Sequence, residues 1–322
     1  MNVVFSTDAD FDDIFSLTIL LLEHIRGNIN LIGIVLEDGM FSYPLNESIV
    51  GFFLKFLRMD IPMYKSINRN NTRNYPPEIS STILKYLSEN FNYKIGMIYK
   101  KSLDKYPIFG CNVSILTTGN VTTITEIISQ NIEKIDKVVS MIGNYKVKGN
   151  ILNSSDDAEY NAYLDPISFQ RLVELCKNKL WICPLDCTNY VPMTEHRIQK
   201  INDCNNVENY KIRSLLDSIS QFNINLLYNI NDKLYMWDQV ATLLFLNKNM
   251  DQKIIKTNIS INNNGKIIYD KNVNYLTNIY ISVNSTLFDK EMCKIIKYDN
   301  YKYTIIIFII FIIFIFWLYK IC

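Results

Sequence analysis

Histidine is almost missing from this chain: His24 and His196 are the two in 322 residues. His24 falls inside an apolar, helix-like run and reads as structural, so a histidine-based nucleophilic triad is poorly supported. C-x-x-C pairs are missing too. The seven cysteines, an odd number, are Cys111, Cys176, Cys183, Cys187, Cys204, Cys293 and Cys322. Their spacing suggests neither a zinc site nor a disulfide framework. Reduced thiols in a cytosolic domain are the economical expectation. Charge of one sign is lacking as well: the net charge is +1 and the lysines and arginines are scattered. That leaves no electrostatic footprint for nucleic acid. No internal repeat or linker divides the chain, and its first strand begins almost at Met1, so no signal peptide is expected.

What is present suits a globular fold. At 48% hydrophobic and 20% charged, the chain can bury a large core. Length alone allows one large α/β domain or two small ones. The abundance of Asn, Ile, Lys and Tyr is a compositional bias without functional content.

The organising stretch is Met1 to Leu17, MNVVFSTDADFDDIFSL. Val3, Val4 and Phe5 fit a buried strand. Asp8, Asp10, Asp12 and Asp13, four carboxylates within six residues, follow at once. Apolar residues from Ile14 to Leu21 then set up a helix whose first turn holds Asp12 and Asp13, where exposed N–H groups and the helix dipole favour carboxylates. The acids thus fall at the carboxyl end of a strand, where open α/β sheets hold ligands. One reading is a solvated loop with an acidic helix start. The other is a hard-cation site, since converging carboxylates take up protons unless a cation offsets them, and all-oxygen ligation suits calcium or magnesium. The position directly after a buried strand favours the cation.

The segment Ser6-Thr7-Asp8-Ala9-Asp10-Phe11-Asp12-Asp13 resembles the N-terminal D-x-D-x-x-x-D-D signature of the inosine–uridine preferring nucleoside hydrolases. Ser6 stands at the family's first acid, and Asp8, Asp12 and Asp13 at the other three. A phosphatase of the haloacid dehalogenase type also opens with strand-D-x-D, so later motifs decide. Asn30 to Leu36 is a second buried strand ending in Glu37-Asp38-Gly39. The resemblance places Met40 or Asp38 where the family has an Asn or Asp facing the nucleoside. Asp60-Ile61-Pro62-Met63-Tyr64 is similar to the family's D-I-P-V-Y strand entry, and Asn46 to Leu57 before it has helical spacing. Ser66 to Pro77 reads as a loop that could close over a substrate, with Tyr75 as a stacking candidate.

Val113 to Leu116 is the next core strand, and Thr117-Thr118-Gly119-Asn120-Val121-Thr122 resembles the family's T-G-P-L-T turn, whose threonine carbonyl binds calcium. That role falls on Thr118; read locally, the same turn opens a helix with Thr122 as N-cap. After a strand from Lys137 to Ile142, Ala158-Glu159-Tyr160-Asn161 through Asp165-Pro166 resembles the A-E-F-N-x-x-x-D-P motif. Its Glu and Asn, here Glu159 and Asn161, bind ribose hydroxyls; in a strand-like register both point to one side. Asp165 and Pro166 also make sense as N-cap and first helical residue. Asn153 matches a further sugar-binding Asn, with Asn150 as the competing choice. Leu180 to Cys183 is a strand, and Asp186-Cys187-Thr188 after it reads as structural. Asn209 to Tyr228 reads as a helix. Another begins at Tyr235 and carries Asp238 in its first turn, where the family has its last calcium ligand. Trp237 replaces the usual preceding His, as in the purine-preferring branch, where a Trp stacks on the base. Strands with a hairpin at Asn264-Gly265, then a helix from Ser285 to Ile296, complete the domain.

The fold implied is an open, mostly parallel, Rossmann-like α/β sheet flanked by helices, with one nucleoside hydrolase-like domain over 1–298. From Tyr303 to Tyr319 an uncharged run of 17, between Lys302 and Lys320, reads as a C-terminal transmembrane anchor. The catalytic domain would then stay in the cytosol. The activity implied is hydrolysis of a ribonucleoside N-glycosidic bond. Calcium would be held by Asp8, Asp13, Asp238 and the Thr118 carbonyl, with Asp8 as proton acceptor. Asp12, Asn153, Glu159, Asn161 and Trp237 would contact substrate. Partners expected are the ribonucleoside, a membrane through the tail and, left open, a second copy of the chain. The competing readings are the phosphatase, with Asp8 as nucleophile and Asp10 as acid, and a membrane-anchored nucleoside-binding protein with weak or no catalysis.

Overall fold

The computed structural model describes residues 1–67, 73, 77–91, 93–94, 97–151, 157–207, 210–229 and 233–297. Asn153, Tyr75 and the apolar run 303–319 lie outside them. Among the described residues no helix is long and apolar enough to cross a membrane.

Among the described residues, ten strands form two sheets: β1 (Asn2–Thr7), β2 (Asn30–Leu36), β3 (Met63–Tyr64), β4 (Val113–Thr117), β5 (Ile135–Ser140), β6 (Leu180–Ile182), β7 (Lys253–Thr257), β8 (Ile259–Ile261), β9 (Ile267–Tyr269) and β10 (Thr277–Ser282). The large sheet has the order β3-β2-β1-β4-β5-β6-β10-β7. Every neighbour pair in it is parallel except β10 with β7. The hairpin foreseen at Asn264-Gly265 is β8–β9. Alternation along β1 explains its place at the centre: Val3 and Phe5 enter one apolar cluster and Val4 the other, so both faces are covered by helices.

Strand order reverses between β1 and β4. From β1 the chain moves outward through β2 and β3, then returns to lay β4 on the other side. Register aligns Thr7 with Leu36 and Ser6 with Thr117. The residues just past these ends, Asp8, Glu37 and Thr118, therefore emerge side by side. A crevice opens at such a switch point because neighbouring crossovers leave in opposite directions.

Most expected elements appear within a few residues of their anticipated ends, and β2 and the helix Ser285–Ile296 coincide with them. Asp165 caps its helix through the N–H of Ser168 at 3.0 Å, with Pro166 in the first turn. Three readings need correction. Val121, not Thr122, is the N-cap of helix Thr122–Asn131. Helix Pro77–Phe91 is missing from the sequence reading, although Ile79, Ile83, Leu84 and Leu87 recur there at helical spacing. The cysteines are not all free either: Cys204, which caps helix Glu195–Asp203, pairs with Cys293 in Ser285–Ile296 across 89 residues of sequence. Sequence spacing could not reveal that pair, because helix packing alone brings the two Cα atoms to 5.3 Å. Thiol titration of the unfolded, unreduced chain should therefore find two fewer reactive groups than the seven cysteines in the sequence. A full count would rule the bridge out.

Candidate active site

The first turn after β1 decides where the acids point. Ala9 takes a left-handed conformation (φ 66°), and Asp10 caps helix Phe11–Ile25 by accepting the Phe11 N–H at 2.6 Å. Asp12 and Asp13 then occupy the helix's first turn, as the sequence indicates. Asp238 arrives from the far end of the chain, in the first turn of helix Trp237–Phe245, which packs against Phe11–Ile25. Gln239 ties the two helices by donating from Nε2 to the Asp12 carbonyl at 3.2 Å.

Asp12, Asp13 and Asp238 each offer an oxygen within 4.8 Å of the other two. All three are buried, as are Asp8 and Asp10. Asp8 stands beside Asp13, and its Oδ2 accepts the Met40 N–H at 2.7 Å. Its seat is tight: a Cβ on Gly39 would lie 1.9 Å from Asp8 Oδ2, and one on Gly119 would lie 2.9 Å from the Asp8 nitrogen. Asp13 Oδ1 accepts the hydroxyls of Thr7 and Thr118. The sequence reading put the cation on Asp8, Asp13, Asp238 and the Thr118 carbonyl and assigned Asp12 to sugar; here the converging trio contains Asp12, and Asp8 is not one of its members.

Electrostatics match that crowding. Burial first, then repulsion by Asp13, pushes Asp8 well above the usual carboxylate range. Asp10 and Asp238 are raised for the same reasons, burial and then Asp12. Burial followed by Asp8 brings Asp12 up to about 7, and burial followed by Asp12 brings Asp13 up to about 6. None of the leading causes of these shifts is a lysine or arginine. Five buried carboxylates crowded together are a poor arrangement alone and a good one around a divalent ion. Their hard oxygens suit such an ion.

The acids floor a cavity of about 670 Å³, within the roughly 300–1,000 Å³ typical of small-molecule sites. Thr118, Glu159, Asn161, Tyr235 and Trp237 also line it. Asn161 Nδ2 donates to the Thr118 carbonyl at 2.7 Å. The strand-like register expected for Glu159 and Asn161 is wrong. Glu159 is the N-cap of the short helix Tyr160–Leu164, and its carboxylate accepts N–H groups of Gly143, Asn161 and Ala162 at 2.8–3.0 Å. Burial still pushes it up to about 7. Of the alternatives left open, Met40 lines the cavity whereas Asp38 does not, and Asn150 lines it while its Oδ1 accepts the Tyr160 N–H at 3.0 Å. Trp237 is half-buried at the cavity wall, with Nε1 donating to Asn189 Oδ1 at 3.4 Å and its ring tilted 47° to Tyr235. Sequence reasoning missed Tyr235, Asn189 and Phe11 as lining residues; Phe11 and Tyr235 lie within or beside the acidic motifs, which do not mark an aromatic side chain as facing the cavity.

The raised carboxyls set a pH dependence. The folded state binds their protons more tightly than an unfolded chain, whose aspartates titrate near about 3.9. With a chelator present, stability should fall as pH rises from about 4 through about 7. Thermal melts should give a higher midpoint at about pH 5 than at about pH 8. Added calcium should raise the midpoint more at about pH 8. Equal gains at both would count against ion binding by these acids.

The sequence has no match among curated proteins. Solved structures share its fold. One is the inosine-uridine preferring nucleoside hydrolase of Bacillus anthracis (18% identity, TM-score 0.72, covering 92% of this chain and 99% of that one). Another is the purine-preferring ribonucleoside hydrolase of Gardnerella vaginalis (17%, 0.72, 92% and 98%). A plant nucleoside hydrolase is similar at 13% identity and a TM-score of 0.71, over 92% of this chain and 99% of its own. The family model described as inosine-uridine preferring nucleoside hydrolase matches residues 3–292. The chain therefore belongs to the inosine–uridine preferring nucleoside hydrolases, metal-dependent N-glycosidases that act on ribonucleosides.

Proposed function

We propose that the protein hydrolyses purine ribonucleosides to ribose and free base with calcium as its cation. The observation that carries the reading is the meeting of Asp12, Asp13 and Asp238, more than 220 residues apart in sequence, on the floor of one cavity beside Asp8. Asp8, Asp13, Asp238 and the Thr118 carbonyl would hold the ion, with Asp12 adjoining. Calcium is favoured because it takes main-chain as well as carboxylate oxygens. Bound there, the ion would orient a water and lower its pKa.

The chain's own groups account for the remaining chemistry. Asp8, fixed by the Met40 N–H and two glycines, accepts the proton of the attacking water. Asp12, Glu159 and Asn161 face the cavity where ribose hydroxyls would lie, which fixes the line of attack on the anomeric carbon. As the bond to the base nitrogen breaks, positive charge develops on the sugar. A wall of carboxylates stabilises that charge more than it does the neutral substrate. Trp237 supports the purine preference: it lines the same cavity as the acids, and a stacked purine is easier to protonate as it leaves.

Asp8→Ala should lower kcat by about 10²–10⁴-fold with the fold intact by circular dichroism; normal turnover would refute the role. Inosine should be cleaved faster than uridine, and Trp237→Ala should narrow the gap. Faster uridine cleavage by the native chain would overturn the purine assignment.

A further inference from the structure

Glu37 lies outside the acidic cluster yet bonds both β1, whose end carries Asp8, and the helix that begins after Thr118. It follows β2 directly and is completely buried. Ser6 in β1 donates its hydroxyl to Glu37 Oε1 at 2.9 Å. The Ile124 N–H donates to the same oxygen at 2.9 Å, and the Thr123 N–H to Oε2 at 2.8 Å. The backbone of Glu37 is committed as well: its N–H donates to the Thr7 carbonyl at 2.8 Å, and its carbonyl accepts Asn46 Nδ2 at 2.6 Å.

The pattern differs from an ordinary helix cap. The first N–H groups of a helix need acceptors, and these usually come from the N-cap side chain. Val121 cannot provide one. The acceptor comes instead from a residue 86 positions earlier in the chain. A local cap stabilises its own helix, whereas this one also joins that helix to β1 and β2. Helix Thr122–Asn131 begins just after Thr118 and Gly119, and Gly119 abuts Asp8. A second tie runs in parallel, from Asn120 Nδ2 to the Asp38 carbonyl at 2.9 Å. If the helix start drifted outward, Gly119 would leave Asp8 and the Thr118 carbonyl would move with it.

We infer that Glu37 is a positioning residue: by joining Ser6 to the first turn of helix Thr122–Asn131, it sets the spacing between Asp8 and Thr118. It thereby sets the geometry of the divalent-ion site, and the inference rests on that reading of the acids. The carboxylate does not touch the ion. Its position, rather than its parent strand, is what counts. Ser6 Oγ lies 2.9 Å from that position, so a carboxylate grown from residue 6 could replace it.

Calcium affinity of the full chain, measured by titration calorimetry, tests this. Glu37→Ala should weaken binding by about 10–100-fold, as loss of supporting contacts around metal ligands does. The double variant Ser6→Asp/Glu37→Ala should recover most of that loss. Glu37→Leu, which keeps the volume but has no acceptor, should match Glu37→Ala and covers the case in which the alanine variant does not fold. A purely structural cap would lower the melting temperature and leave affinity alone. Native affinity in folded Glu37→Ala or Glu37→Leu would therefore overturn the inference. So would a double variant no tighter than Glu37→Ala. If the wild-type chain bound no calcium, magnesium or manganese, the metal reading itself would fall and this inference with it.

Discussion

Mutual repulsion among Asp8, Asp10, Asp12, Asp13 and Asp238 is the constraint around which this molecule is built. Taking one carboxylate out of water already costs several kcal/mol unless it is paired or neutralised, and five share one pocket floor here. Such a group survives only if protons or a cation occupy it. The switch point between β1 and β4 is the part of a parallel sheet able to supply the space, because crossovers diverge there and leave strand ends uncovered. The sheet thus makes the crevice, and the acids make the crevice require a positive partner.

Precise seating of Asp8 comes from backbone rather than from other side chains. Gly39 and Gly119 approach so closely that any Cβ would collide with it, and the Met40 N–H fixes one of its oxygens. A side chain held this way changes rotamer only if its two glycine neighbours move apart. Glu37, bonded to Ser6 and to the helix after Gly119, ties the two segments together.

The side walls divide the labour. Glu159 and Asn161 sit where a helix N-cap and first turn present polar groups inward, and their bonds to Gly143, Ala162 and the Thr118 carbonyl pre-set their orientation. Trp237 and Tyr235, which line the same cavity, offer flat apolar surface. A ligand with a polyhydroxyl end and an aromatic end matches that division, which is the shape of a nucleoside. Met40 adds apolar surface where a polar contact was expected from the family pattern.

By itself the sequence determined the strand–acid–helix opening, β2, the Asp165–Pro166 helix start and the order of the elements, because hydrophobic period and capping chemistry are local. Asp8, Asp12, Asp13 and Asp238 were also marked by motifs, despite Ser6 and Trp237 as departures, and the fold brings them to one cavity. Tertiary structure alone decided the rest. Cys204 met Cys293 because two helices pack, and Glu37 capped a helix far along the chain because strand register put it there. Glu159 is an N-cap rather than a strand residue because it accepts the Asn161 and Ala162 N–H groups, and Gly143, placed by the fold, adds a third donor. Local pattern can say what a residue is able to do. Which groups share one buried volume, and so which charges must be answered together, depends on contacts between residues distant in sequence.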